Sequence, residues 1–361
     1  MQVVPIPTIT RAESIKIHRD HKRAAAVASL RYVSDAMPGI GRQKKGTGFR
    51  YLKEARPVRD KDTLERIRKL AIPPAWTNVW ICAQENGHIQ ATGYDVRGRK
   101  QYKYHAQWST IRTQTKFHRL YEFGKTLPAL RQRIEHDICA SSLTKEKVLA
   151  TVVSLMERTF IRVGNNEYEK LYGSYGLTTL KDGHVNITGA TLKFSFKGKK
   201  GIYHCVTLKS KRLARIVKAC RDIPGKELFQ YINEEGVRAT IDSGMINNYI
   251  KEASGNDFSA KDFRTWAGTL SMLNSFKSLG EALTPTETKK NILQALDEVS
   301  AKLGNTRTVC RKYYVHPHII GLYEEHGLQR YLAQLEDIEA CDGLVDLTPD
   351  EKVLMRILQK V

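Results

Sequence analysis

Apolar and polar positions change their period several times along this chain, and each change predicts an element. Residues 11–34 are basic, and "HKRAAAVASLRYV" has an Ala-rich helical character. The glycines and prolines of "PGIGRQKKGTGF" break that pattern. "DTLERIRKLAI" opens with Asp62 and places Glu65 three residues on, a capping-box start that predicts a helix. "NVWICAQENGHIQATGYD" predicts two strands around an Asn86-Gly87 turn. Together these make a mostly β module that ends near residue 105.

The period then becomes helical. "KFHRLYEFGKTLPALRQRI" and "TKEKVLATVVSLMERTFI" carry apolar residues at i, i+3, i+4 and i+7. A strand island, "HVNITGATLKFSFKGKKGIYHCVTL", interrupts at residues 184–208 before "KRLARIVKACRDI" resumes the helical pattern. The predicted class is α+β. A small β-rich N-terminal domain spans 1–105, and a larger, mainly helical domain with a short three-stranded sheet spans 106–361. The linker is expected at 105–112, where the pattern shifts.

Composition adds the partner. There are 59 basic against 38 acidic residues, a net charge of +21, spread along the whole chain. Such a surface repels itself unless it meets a polyanion, and nucleic acid is the first candidate. Cys82, Cys139, Cys205, Cys220, Cys310 and Cys341 form no CxxC pair. Reduced thiols in a cytosolic compartment fit that pattern, and a zinc ribbon or disulfide framework does not. The first residues lack the apolar stretch of a signal peptide, and no run of about 20 apolar residues could span a membrane. No GxxxxGK[ST] loop for a nucleotide is present. His316 and His318 are the only close histidine pair, and a surface or DNA-facing loop suits them better than a metal. No cofactor and no metal is expected.

Five positions in the helical part suit one chemistry: Arg162, Lys199, Arg264, Asn305 and Tyr314. Transesterification of a phosphodiester passes through a five-coordinate phosphorus with added negative charge on its non-bridging oxygens. Two guanidinium forks and a neutral amide could meet that charge. A lysine could protonate the departing oxygen, and a tyrosine could attack to form a covalent intermediate. Taken singly, each residue has an ordinary explanation. An arginine after an apolar run is usually a salt-bridge residue. Lys199 lies in a Gly-Lys-Lys-Gly turn, and Asn305 after Leu-Gly could be a helix N-cap. A Tyr-Tyr pair is usually one core and one rim residue. Composition and periodicity do not select these five.

The chain resembles the type IB DNA topoisomerases of the compact bacterial and poxvirus-like form, over roughly residues 45–330. "IRVGNNEYEKLYGSYGLTTL" is similar to the segment holding that family's first catalytic arginine, which matches Arg162. "KFSFKGKKG" matches its lysine at Lys199, "KDFRTWAGT" its second arginine at Arg264, and "LGNTRTVCRKYYVHP" its last pair, Asn305 and Tyr314. The four motifs come in order with matching spacings. The resemblance implies a topoisomerase IB or tyrosine-recombinase type of catalytic fold and ATP-independent relaxation of supercoiled DNA. That reaction runs by single-strand cleavage through a 3′-phosphotyrosyl intermediate, strand rotation and religation.

It also assigns the attack to Tyr314, nine residues after Asn305, and not to Tyr313, which points about 100° away on a helix and is expected to pack. On one straight helix nine residues rotate by about 900°, so Asn305 and Tyr314 share a phosphate only if the segment breaks. Pro317 places Tyr314 near such a boundary. "ATGYDVRGRKQYKYH" resembles the family's DNA-reading strand, with Gln101, Tyr102 and Tyr104 at the duplex-facing positions, and Tyr168 is a further candidate contact. Strand alternation puts Tyr102 and Tyr104 on one face, with Gln101 and Lys103 on the other. Duplex DNA is the implied partner, with no membrane, and the protein is expected to act in the cytoplasm as a monomer closing as a clamp. A tyrosine recombinase would use nearly the same groups, but usually with His where Lys261 stands. A non-catalytic duplex-binding protein would not need the full Arg-Lys-Arg-Asn-Tyr set.

Overall fold

The computed structural model describes residues 9–335 and 345–360. The chain divides into two compact units, Met1–Arg119 and Leu120–Val361. Cys341 lies outside the described residues.

In the first unit, α1 (Arg11–Arg19) and α2 (His21–Val27) are capped by Thr10 and Asp20, whose side chains accept from the backbone N–H of Glu13 and Arg23. Their apolar residues, among them Ile17, Ala24 and Ala25, form one cluster with Trp108 and Ile111. The stretch read as a glycine break is a hairpin. Strands β1 (Gly39–Lys45) and β2 (Gly48–Lys53) pair antiparallel, with Gly46 in the turn at φ +56°. Ile40 is the one buried residue of β1, so basic side chains hide the alternation that marks a strand.

Strand β3 (Arg56–Pro57) is followed by α3 (Lys61–Lys69). The cap of α3 is Asp60, which accepts from the Thr63 N–H, and the expected Asp62 lies inside the first turn instead. Strands β4 (Thr77–Cys82) and β5 (Ile89–Tyr94) pair antiparallel as expected, with Asn86-Gly87 inside their connecting loop. Strand β6 (Lys100–Tyr104) closes a six-stranded sheet of order β3-β2-β1-β4-β5-β6. Ile67 of α3 packs with Ile40, Val79, Ile81 and Ala91 of this sheet. The division between the units falls inside α4 (Ala106–Ile138). The stretch 105–112, expected as a linker, is therefore largely helix. Neither Gly nor Pro occurs between 106 and 123 to stop it.

The second unit is built around α5 (Lys145–Thr159), in which every residue from Val148 to Met156 is buried. A helix that is buried all round is the centre of a core. After α6 (Asn166–Tyr172), β7 (Val185–Thr188), β8 (Thr191–Lys197) and β9 (Tyr203–Lys209) form an antiparallel three-stranded sheet where the strand island was expected. Helix α7 (Lys211–Arg221), a short hairpin of β10 (Gln230–Ile232) and β11 (Arg238–Thr240), and α8 (Ser243–Ser254) lead to α9 (Ala260–Leu279), another mostly buried helix. The rest is helical: α10 (Pro285–Leu303), α11 (Arg307–Tyr313), α12 (Pro317–Glu324), α13 (Gln329–Leu332) and α14 (Pro349–Gln359).

An ion cluster, buried at Glu351 and partly buried at Arg131 and Glu157, ties four of these helices together. The Arg131 guanidinium on α4 lies 2.7 Å from both Glu157 on α5 and Glu351 on α14. The indole N–H of Trp266 on α9 donates to Glu351 at 3.0 Å. Removing one partner of such a buried pair costs about 3–5 kcal/mol, because the other charge is left uncompensated. Among the described residues no helix is long and apolar enough to cross a membrane.

Candidate active site

Four of the five candidate residues converge within the second unit through elements that end near one another. Helix α5 stops at Phe160, whose backbone is left-handed at φ 58°. The chain then runs extended, with Ile161 and Val163 buried on either side of Arg162. The Leu177 N–H donates to the Arg162 carbonyl at 2.8 Å, and the Thr178 N–H to that of Val163 at 2.6 Å. This held strand aims the Arg162 guanidinium, whose Nη2 donates to Asn305 Oδ1 at 2.7 Å across 143 positions of sequence.

Arg264 comes from α9 and is only 6% exposed. Its Nη1 donates to the Phe160 carbonyl at 2.5 Å and its Nη2 to the Leu303 carbonyl at 2.6 Å. Those carbonyls are helix-end acceptors of α5 and α10, so Arg264 pins two helix C-termini while its charge stays beside Tyr314. Burial first, then the adjacent Arg162 charge, pushes its pKa down to about 10, which still leaves it a cation at neutral pH. The Nε atoms of both arginines are buried and lack a hydrogen-bond partner among the described residues. Orphaned buried donors are uncommon in folded proteins.

Asn305 is not a helix cap. Gly304 ends α10 at φ 58°, a backbone angle that glycine adopts without strain, and Thr306 caps α11 by accepting from the Val309 N–H. This corner is the break that the nine-residue spacing requires, and it frees the Asn305 amide for Arg162. Tyr314 follows directly on the end of α11, one turn before Pro317 opens α12. Its backbone docks on α9: a Cβ on Gly268 would sit 2.6 Å from the Tyr314 carbonyl oxygen, so only glycine admits that approach. The Thr269 hydroxyl lies 3.2 Å from the same oxygen and accepts from the His316 N–H at 3.1 Å.

The Tyr314 side chain is half-buried, with the Arg264 guanidinium 5.3 Å from its ring centroid. Burial is the largest influence on its phenol and pushes the pKa up. Hydrogen bonds and charge from Arg162, then from Arg264, outweigh it and hold the phenol below its ordinary 10. Tyr313, by contrast, is 43% exposed. The expectation that it packs is therefore corrected: the helix ends at this residue, and it is Tyr314 that packs against the core.

Lys199 lies in the turn between β8 and β9, exposed, with its ammonium 5.8 Å from the Tyr168 ring centroid. Partial desolvation and then the Arg162 charge push its pKa down, while Tyr314 pulls in the other direction. The same cations thus bear on Lys199 and on Tyr314. Tyr168 itself is on α6, 38% exposed. Asn165 caps that helix, accepting from the N–H of Glu167 and Tyr168.

In the first unit, β6 shows the expected alternation. Tyr102 and Tyr104 are exposed on one face with their rings stacked, centroids 5.8 Å apart. Gln101 is turned to the other face, where its amide donates to Asp95 at 3.0 Å, and Asp95 also holds Arg99. Its hydrogen-bonding capacity is thus partly used within the strand connection.

Residues that sequence reasoning passed over are Gly268, Thr269 and His204. The first two stand one turn beyond Arg264 in "KDFRTWAGT", where a small residue facing a helix neighbour is the only signal. His204 stands opposite Phe196 across β8 and β9, and its ring stacks on Phe196 at 5.3 Å.

Comparison with known proteins gives the family. The family model "Eukaryotic DNA topoisomerase I, catalytic core" matches residues 105–339. The model "Bacterial DNA topoisomerase IB, N-terminal domain" matches residues 48–95. DNA topoisomerase 1B of Acanthamoeba polyphaga mimivirus is 35% identical over 301 residues, 80% of this chain and 89% of the viral one. DNA topoisomerase 1B of vaccinia virus is 26% identical over 74% of this chain and 83% of its own length. DNA topoisomerase 1 of rabbit fibroma virus is 27% identical over 70% and 79%. The candidate cluster lies in the segment that matches the catalytic core, and by these matches this chain belongs to the type IB DNA topoisomerases.

Proposed function

We propose that Tyr314 is the nucleophile of this DNA topoisomerase, and that Arg162, Lys199, Arg264 and Asn305 complete its active site. As a type IB enzyme it relaxes supercoiled duplex DNA by cutting and rejoining one strand. The Tyr314 oxygen attacks the scissile phosphorus as its proton passes to solvent. The bond from phosphorus to the 5′ oxygen breaks, Lys199 protonates that oxygen, and the phosphate stays on Tyr314 through its 3′ linkage. The freed strand rotates, and the 5′ hydroxyl then attacks the phosphotyrosine, returns its proton to Lys199 and displaces the Tyr314 oxygen, which regains a proton from solvent. Arg162 and Arg264 meet the charge on the non-bridging oxygens, with Asn305 holding Arg162 in place and adding an amide donor. No nucleotide is consumed, because the phosphotyrosine conserves the energy of the broken bond.

The observation that carries this reading is the convergence of Arg162, its partner Asn305 and Arg264 on the Tyr314 phenol, which they hold below its ordinary pKa. Tyr102, Tyr104, Gln101 and Tyr168 are proposed to contact the duplex. For Tyr102 and Tyr104 the support is their exposure beside Lys100 and Lys103. We further infer that residues 1–105 form the DNA-binding domain and 106–361 the catalytic domain, of a monomer that closes as a clamp around DNA in the cytoplasm. That finer reading rests on the resemblance and on the +21 charge.

The test is incubation with supercoiled plasmid in EDTA without ATP, followed by denaturation and digestion of the trapped adduct. Relaxed circles and a nucleotide-bearing peptide that contains Tyr314 are expected. A nucleotide on Tyr313, or on no tyrosine, overturns the assignment.

A further inference from the structure

The imidazole of His204 sits between two backbone corners that each carry a member of the active site. On one side is Gly198, directly before Lys199: a Cβ there would lie 2.5 Å from His204 Cδ2 and 2.6 Å from Nε2. On the other is Gly304, directly before Asn305, where a Cβ would collide with His204 Cε1. Both corners are glycine, so the ring is in contact with bare backbone on two sides. Beneath it the Phe196 ring lies nearly parallel, at 14° and 5.3 Å between centroids. The turn that carries Lys199 is otherwise short and local, closed by the Gly198 N–H donating to the Ile202 carbonyl at 2.7 Å and the Gly201 N–H to that of Gly198 at 3.1 Å. Neither bond reaches the Asn305 corner.

We propose that His204 is a positioning residue for DNA cleavage: its ring is the spacer that sets the Lys199 turn against the Gly304–Asn305 corner. Lys199 then reaches the 5′ oxygen of the same phosphodiester that Arg162 and Asn305 address. The inference rests on the reading of Lys199 as the general acid. His204 touches no reacting atom and acts through Lys199. Burial, reinforced by Arg264 and Arg162, holds the imidazole below its ordinary pKa, which suits a neutral ring packed under two backbone corners. A ring that merely filled the core edge would affect stability and every step of the reaction alike. A spacer for Lys199 affects only what Lys199 does.

A leaving group that needs no proton separates the two. Single-turnover cleavage is measured on a duplex oligonucleotide with the ordinary 5′ bridging oxygen and on one with sulfur at that position, since a thiolate departs without protonation. With His204→Ala, cleavage of the oxygen substrate should slow by about 10- to 100-fold, the scale of a misplacement near 1 Å. Cleavage of the sulfur substrate should stay within about threefold of the unaltered enzyme, with oligonucleotide binding retained. Gly198→Ala, whose backbone (φ −92°, ψ −164°) accepts alanine, presses a methyl group on the ring and should show the same selective loss. Combining it with His204→Ala removes the collision, so the double variant should be no slower than His204→Ala alone.

Equal slowing on both substrates, no slowing on either, or losses that multiply in the double variant overturn the proposal. Lys199→Ala run in parallel shows which idea has failed. If Lys199→Ala is rescued by sulfur and His204→Ala is not, the spacer role falls alone. If Lys199→Ala is not rescued, the general-acid reading falls and takes the spacer with it. Lys200→Ala, exposed in the same turn, is the control and should cleave both substrates normally.

Discussion

Tyr314 and Tyr102 each stand beside a cation, the Arg264 guanidinium 5.3 Å from one ring centroid and the Lys100 ammonium 5.8 Å from the other. Their settings differ in every other respect. Tyr314 is half-buried where an extended segment, two helix ends and a buried helix meet, and its phenol is bonded to two arginines. Tyr102 is 43% exposed on a strand, beside a second tyrosine two residues on. Burial strengthens charge interactions and removes the alternatives that water offers. The first setting therefore changes what a tyrosine oxygen can do. The second leaves it a surface that can lie against a polyanion. The same residue type next to the same kind of charge can thus serve chemistry or docking, and burial decides between them.

The sharpest way to break that comparison is to exchange the tyrosines. Tyr314→Phe should abolish covalent attachment to DNA and lower plasmid relaxation by about 10⁴-fold or more, as loss of a nucleophile does. Tyr313→Phe should remain active. Denaturing gels of trapped complexes read both, and an active Tyr314→Phe enzyme would end the assignment.

Next come the arginines. Arg162→Ala and Arg264→Ala should each slow cleavage about 10²- to 10³-fold, the scale for one preorganised donor, while filter binding of plasmid survives. The two should part on stability. Arg264 also holds the Phe160 and Leu303 carbonyls, so its loss should lower the melting temperature more than loss of Arg162. Equal loss of binding and cleavage would make both docking residues.

The pH profile of cleavage tests the charge coupling. The phenolate form of Tyr314 grows as pH rises, and the two arginines hold its pKa below 10, so the rising limb should lie below pH 10. Lys199 must keep its proton, and its pKa is lowered from 10.5, so activity should fall again in alkali. Arg162→Ala removes the largest influence that lowers the phenol and also relieves Lys199, so both limbs should move to higher pH. A profile that does not move would remove Arg162 from the coupling.

The smallest effects belong to β6. Tyr102→Ala and Tyr104→Ala should weaken duplex binding a few-fold each, since losing one contact to DNA costs on the order of 1 kcal/mol, and leave single-turnover cleavage of bound DNA unchanged. Across salt concentrations, log K against log salt should fall with a slope of about −3.6 or steeper if four or more phosphates are engaged. Cleavage defects in these variants equal to their binding defects would erase the distinction between the two tyrosine settings.

Local chemistry determined much of this molecule. The 3.6-residue period marked α5 and α7, and the β-branched run of "HVNITGATLKFSFKGKKGIYHCVTL" marked β7, β8 and β9. The order and spacing of four short motifs pointed to the family. Where local signals were weak the reading slipped: the β1–β2 hairpin has almost no apolar face, the cap of α3 moved to Asp60, and α4 runs through the expected linker because nothing there stops a helix. Some contacts no spacing could disclose. The sequence suits Asn305 to a helix cap and Tyr313 to packing, roles that neither has, and His204 carried no signal at all. These depend on which distant backbone groups meet: Phe160 and Leu303 at Arg264, Gly268 at Tyr314, Gly198 and Gly304 at His204. A side chain's neighbours along the chain set its local conformation. Its pKa and its freedom to act are set largely by atoms from other elements, as far as 143 residues away for Arg162 and Asn305, brought near by burial of the core.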